Sequence, residues 1–198
     1  MDGTEERLME AVREEVLAYG VRRATATSIA TRAGVSRMTL YRRGGGVRQL
    51  VLDALSHELQ GLVAGLLATS TAGTARERLV EGVTQAVSRA SRAPLVQALR
   101  RHDPELLLPY LVDRYGRVQT AVLAWTQAAL EEGLADGSVR DLDPRTAAHV
   151  LLHATQDLVI SAEILDGTAG LVDLEGEGAH LVDAYLAPVA DAAGTAGG

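Results

Sequence analysis

Seven arginines lie between Gly20 and Leu50, at positions 22, 23, 32, 37, 42, 43 and 48, and no Asp or Glu interrupts them. From Val51 onward acids outnumber bases twenty to ten, and the whole chain carries a net charge of −7. A basic segment joined to an acidic remainder is the asymmetry expected where one part of a protein faces a polyanion. Guanidinium groups suit that task because they stay charged and pair in bidentate fashion with phosphate or with the edge of a guanine. A solvated face has the same composition, so charge alone leaves both readings open.

A second set with chemical potential is His149, His153 and Asp157, spaced four apart on one helical face. That spacing suits metal ligands, but the chain has no cysteine and shows no obvious further ligand. A polar cluster at an interface or pocket is the favoured reading, and neither a metal nor a cofactor is expected. No nucleophile motif, phosphate-binding loop or paired acidic motif appears, so an enzymatic role has no support. The absence of cysteine also excludes disulfides.

These residues need elements to hold them, and the chain reads as helix after helix. With no Phe and one Trp, the core must be built from Leu, Val and Ala. Thr4 is a candidate N-cap for a first helix carrying Leu8, Val12, Val16 and Tyr19 at helical spacing, with Gly20 ending it. A second short helix is predicted from Thr27 to Gly34, and a third from Ser36 to the glycines 44–46. A fourth carries Leu50, Leu55, Leu59 and Leu62. Thr74 caps a helix to about Arg92, where Ala93-Pro94 breaks the chain. Asp103-Pro104 and Asp143-Pro144 are further start signals, an N-cap residue followed by proline in the first turn. The first opens a segment running through Trp125 to Gly133, and the second a helix to about Leu165. A last helix covers roughly 175–187, and the tail 191–198 is small and polar enough to be disordered. The acidic start, Met1 to Glu6, has no apolar run behind it, and the apolar stretch 62–68 is too short for a bilayer. A cytoplasmic location without membrane contact is therefore expected.

Between Thr27 and Arg43 the pattern is that of a helix-turn-helix. Ala30 is small where two helix axes approach, Gly34 tolerates positive φ at the turn, and Ser36 is an N-cap for the second helix. Ile29, Val35 and Leu40 supply apolar anchors. Together with Gly20, Thr27, Ala33, Thr39, Tyr41 and Leu50, these residues resemble the N-terminal domain of the TetR family of bacterial repressors over about the first fifty positions. The resemblance implies an all-α fold, with a three-helix helix-turn-helix domain joined by a linker helix to a helical ligand-binding and dimerisation domain. The corresponding domains are 1–46 and 47–190, followed by the tail.

Carried over position by position, the resemblance makes Thr27 a phosphate contact and places Ser36, Arg37 and Met38 at the entry of the recognition helix into the major groove. Arg37 suits a guanine and Met38 a thymine methyl. Thr39 and Tyr41 match positions whose hydroxyls touch phosphate or base, and Arg42 and Arg43 extend the positive face. Two positions depart from the family pattern: Gly44 stands where it has an aromatic brace, and Val47 where it has a lysine opening the fourth helix. Free N–H groups near Val47, with Arg48, are the remaining means of holding a phosphate there.

The helix from Pro144 carries two apolar sides, Leu151, Ala154, Leu158, Ala162 and Leu165 on one and Leu152, Val159, Ile160 and Ile164 on the other. Such a helix packs on two sides, against its own core and against a second subunit. The loop from Gly133 to Pro144 and the helix after it resemble the family's approach to its dimer interface. Gln97, His102, Tyr110, Tyr115, Trp125, His153 and Asp157 are candidate pocket residues for an unidentified small-molecule effector. The expected function is a ligand-responsive repressor that binds double-stranded palindromic DNA as a homodimer. The competing reading is a dimeric small-molecule or partner-binding protein whose TetR-like head has lost tight DNA binding, with Gly44 and Val47 as its support.

Overall fold

Leu, Val and Ala at helical spacing leave helix packing as the means of burying apolar surface, and the computed structural model bears this out. It describes residues 3–67, 73–107, 116–169 and 174–188, with the backbone alone at 43–44, 66–67, 162–169 and 174–175. Among the described residues there is no strand. The helices are α1 (Gly3–Tyr19), α2 (Ala26–Ala33), α3 (Arg37–Gly44), α4 (Val47–Leu67), α5 (Ala75–Arg92), α6 (Pro94–His102), α7 (Arg117–Ala135), α8 (Pro144–Ala169) and α9 (Leu174–Leu186), with a 3-10 turn at Pro104–Leu106. No described helix is long and apolar enough to cross a membrane.

Packing divides the chain into two compact units, Met1–Gly65 with Ser88–Thr120, and Leu66–Val87 with Ala121–Gly198. This partition differs from one drawn at residue 46, because it groups most of α4 and all of α6 with the first three helices.

In the first unit α1 packs on α2 and α6, and α2 packs on α3. Leu8, Val12 and Val16 form the buried stripe of α1; Ile29, Leu40, Leu50, Leu55, Leu95 and Leu99 are buried from the other helices. Each such Leu or Ile contributes about 1.5–3 kcal/mol by leaving water. Glu58 of α4 accepts a hydrogen bond from the Leu95 backbone N–H, and it lies 3.9 Å from Arg13 of α1. Ala93 has no side chain with which to cap α6, so a carboxylate from α4 serves its first turn. Burial pushes the Glu58 carboxyl above the usual carboxylate range, against the pull of Arg13.

The second unit is centred on Leu79 and Val83 of α5, Leu130 of α7, Val139, Leu151 of α8, and Val182 and Leu186 of α9. The α7–α8 loop caps α5: Asp136 accepts from the Ala75 N–H at 2.9 Å, and the Ser138 hydroxyl accepts from the Arg76 N–H at 3.2 Å. Arg140 donates to the Tyr185 carbonyl at 2.7 Å and lies over the Tyr185 ring, fastening the same loop to α9.

Several local expectations change. Thr4 lies inside α1 rather than capping it. The Pro94 break is a helix start, with the proline at the first helical position of α6, where its missing N–H costs nothing. Asp103 caps nothing with its side chain; Pro104 opens only a 3-10 turn, and the buried Asp103 pairs with Arg22. Gly133 does not end its helix. It lies inside α7, and glycine is required there because a Cβ would come within 2.3 Å of Val139. Thr74 and Asp143 do cap α5 and α8: Thr74 accepts from the Glu77 N–H at 3.3 Å, and Asp143 from the Thr146 N–H at 2.8 Å.

Candidate nucleic-acid interface

A short helix that reads DNA must be held rigidly from behind while its outer face stays bare. The second motif helix, α3, meets both conditions. Leu40 is fully buried and anchors it, whereas Arg37, Met38, Tyr41 and Arg42 are exposed. Met38 is 77% exposed, an unfavourable placement for a large apolar side chain unless something covers it. Arg43 lies in the last turn of α3, and its side chain is outside the described residues.

The turn is built as the residue types demand. Gly34 ends α2 at φ 65°, ψ 35°, a left-handed conformation without penalty for glycine. The Gly34 N–H donates to Thr31 and the Val35 N–H to Ala30, so the last carbonyls of α2 are satisfied. Ser36 then caps α3, its Oγ accepting from the Thr39 N–H at 3.0 Å. The Ser36 and Thr39 hydroxyls are 2.9 Å apart; one donates to the other, which leaves one hydroxyl proton for an external acceptor.

Thr27 is exposed in the first turn of α2, as a phosphate contact requires. The cap of α2 is Thr25, which accepts from the Ser28 N–H at 3.1 Å while the Ser28 hydroxyl accepts from the Thr25 N–H at 3.2 Å. The helix therefore begins earlier than at Thr27. A reciprocal Thr/Ser pair three apart was the available signal, overlooked because the usual partner is Glu or Gln.

The acid-free segment is less uniform in three dimensions than in sequence. Arg32 turns back onto α1, 3.0 Å from Glu14 and 3.2 Å from the buried Glu15. Arg22 pairs with Asp103 at 3.5 Å. Arg23, Arg37, Arg42 and Arg48 have no ion-pair partner among the described residues. Two cations thus hold the first unit together, and four are available to an external anion. Sequence reasoning missed both pairs because the acids lie outside the basic segment.

At the start of α4 the Leu50 N–H donates to Gly46, so the N–H groups of residues 47–49 have no partner within the helix. This positive helix end, beside the exposed Arg48 and the half-buried Val47, is a ready phosphate position. Gly45 precedes it at φ 66° and takes the chain from α3 into α4.

The candidate pocket residues separate. Gln97 and His102 share an open groove against the end of α1. Trp125 packs on the core of the second unit, over Gly82. His153 and Asp157 are exposed on α8, and Tyr110 and Tyr115 lie outside the described residues. A small apolar cavity of about 10 Å³, enough for one water, lies in the second unit between Val83, Val87, Thr155, Leu158 and Ala179. Among the described residues no group of three or more His, Asp or Glu is placed to hold a metal ion.

No family model matches the chain. It is 32% identical over 180 residues to a helix-turn-helix type transcriptional regulator of Mycobacterium bovis, covering 91% of this chain and 93% of that one. Its fold is similar to that of the TetR-family repressor QsdR of R. erythropolis, with a TM-score of 0.66 and 19% identity over 94% of this chain and 95% of that one. It is also similar to the regulator FadR of Bacillus subtilis in complex with stearoyl-CoA, with a TM-score of 0.62 and 17% identity over 91% and 98% of the two chains.

Proposed function

This chain belongs to the helix-turn-helix transcriptional regulators and carries the TetR fold, and we propose that it is a ligand-responsive repressor binding a palindromic operator as a homodimer. One observation carries the DNA-binding part: the bare face of α3, with Arg37, Met38, Tyr41 and Arg42 exposed behind a Ser36 cap. Arg37 and Met38 read bases. Thr27, Thr39, Tyr41, Arg42, Arg43 and Arg48, with the N-terminal amides of α4, position the backbone. Phosphate contacts supply most of the affinity and base contacts the choice of sequence.

The dimer reading rests on α8 and α9. Val150 and Ala154 of α8 and Leu181 of α9 are exposed, while Leu158, Val159 and Ile160 are only half-buried in one chain. Leu151 and Leu152, assigned to opposite sides from the sequence, are both buried in the unit's own core. The outward face is therefore narrower than expected, and the polar His153 and Asp157 lie on it. A second copy covering this face gives the two-fold symmetry that pairs two recognition helices with two half-sites. Residues 1–46 are then the reading head and 47–190 the part that senses an effector and dimerises. An effector preferring the conformation with mis-spaced heads lowers operator affinity by that difference in binding free energy.

Selection of bound duplexes from a random pool tests this reading. The expected product is a palindrome with half-sites about 34–36 Å apart, or a multiple of that spacing. A pool that yields no enriched sequence at low salt refutes operator recognition, and light scattering that shows a monomer at micromolar concentration refutes the dimer.

A further inference from the structure

A groove in the first unit is lined by the end of α1, the turn after it and α6, and by none of the described residues of α3. This open groove offers about 720 Å³, room for a metabolite-sized ligand. We propose that this groove binds a small amphipathic anion, a carboxylate, sulfonate or phosphate ester attached to an apolar body. Three of its lining side chains, Arg22, Arg23 and Arg101, are cationic, and His102 adds an imidazole beside them. Among the described lining residues the one acid, Asp103, has its side chain only 5% exposed and is already paired with Arg22. The guanidinium of Arg22 reaches that pair from a side chain that is itself 82% exposed, so it can accept a second anion on its open edge. Apolar surface lies beside the charge, with Tyr19 56% and Leu17 41% exposed on the last turn of α1. Charged heads and an exposed aromatic in one groove match an anion carrying an apolar body. A DNA backbone is a less suitable occupant, since it presents a convex row of phosphates and offers nothing to Tyr19 and Leu17.

The groove also has a route to the reading head. Arg22 and Arg23 precede the Thr25 cap of α2 by only two or three residues, and the opposite wall is α6. An anion drawing Arg22 from Asp103 alters the attachment of the turn that starts the helix-turn-helix. The binding inference does not depend on operator recognition.

The test is a fluorescence titration of the full chain with 8-anilinonaphthalene-1-sulfonate at low salt, beside its uncharged relative N-phenyl-1-naphthylamine. The sulfonate is expected to bind one site per chain. The variant Arg23→Gln/Arg101→Gln is expected to bind it at least tenfold more weakly, with the uncharged dye unaffected. Arg145→Gln, an exposed arginine of the second unit, should bind the sulfonate as the wild type does. Melting curves check folding; if the double variant melts early, the two single variants provide the same readout. Equal sulfonate affinity in wild type and variant overturns the proposal, as does an equal loss for both dyes. Displacement of the dye by a random-sequence duplex assigns these cations to DNA backbone instead and also overturns it. Because this assay requires no operator, its failure leaves the repressor reading untouched.

Discussion

Val47→Lys tests the docking of α4 on DNA. Residue 47 is the first of that helix, next to N–H groups without intrahelical partners and beside Arg48. If this end approaches a phosphate, a lysine there adds one backbone contact per chain, hence two per dimer. Each contact steepens the dependence of log affinity on log salt by about 0.9, so the dimer slope should steepen by about 1.8. Raising salt from about 50 to 200 mM then weakens the variant roughly twelvefold more than the wild type. The same charge opposes the positive end of α4 and costs about 0.3–1 kcal/mol of stability, so titrations belong well below the melting midpoint. Fluorescence anisotropy on one labelled duplex, with Arg48→Ala as the opposite perturbation, measures both slopes. Arg48→Ala should flatten the slope by about the same amount. An unchanged slope in both variants means that the start of α4 does not approach the backbone, and the proposed docking geometry is wrong.

Arg37→Ala should reduce discrimination between the selected operator and a version with the contacted guanine changed, by about 1–3 kcal/mol in competition binding; equal weakening on both duplexes would make Arg37 a phosphate contact. Thr25→Ala removes the α2 cap and should lower unfolding stability by about 1 kcal/mol in denaturant titrations, and no change would mean that Ser28 alone satisfies the turn. Glu58 is held above its ordinary pKa chiefly by burial, so its ionised form opposes folding: that penalty is absent in acid and grows as pH rises through the folded value. Glu58→Gln should therefore raise the melting midpoint at pH 8 and have less effect at pH 4, and a lower midpoint at pH 8 would show that attraction to Arg13 outweighs burial. Asp136 is held below its ordinary value by the Ser138 hydroxyl and the Ala75 N–H, so it stabilises above about pH 4 and loses this as pH falls through the depressed folded value. Asp136→Asn should melt lower than wild type at neutral pH, and the difference should shrink as pH falls through the depressed folded value; a constant difference would place the effect in lost geometry rather than charge.

Local chemistry made the helix-turn-helix legible without coordinates. Gly34 and Ser36 act on backbone groups within a few residues of themselves, so their types announce the turn and the cap directly. The apolar stripe of α1 likewise depends on helical period alone, whereas Leu151 and Leu152 of α8, expected on opposite sides, are both buried. The misread boundaries have equally local causes. Proline both stops and starts helices, and a glycine such as Gly133 signals a helix end unless another side chain, here Val139, crowds it from outside the helix.

What the sequence determined by itself was the helical class, the basic acid-free segment and the turn and cap of the helix-turn-helix, all set by period, turn chemistry and composition. Which arginines have an acidic partner could be decided only by the tertiary structure. Arg22 and Arg32 have the same side chain as Arg37 and Arg42, but Asp103 and Glu14–Glu15 reach the first two through the packing of α6 and α1. The same long-range packing set Gln97 and His102 of α6 against the end of α1 while leaving His153 and Asp157 exposed on α8. A side chain's charge is a property of its residue type, whereas its partner depends on where distant helices place their acids, and no local pattern records that.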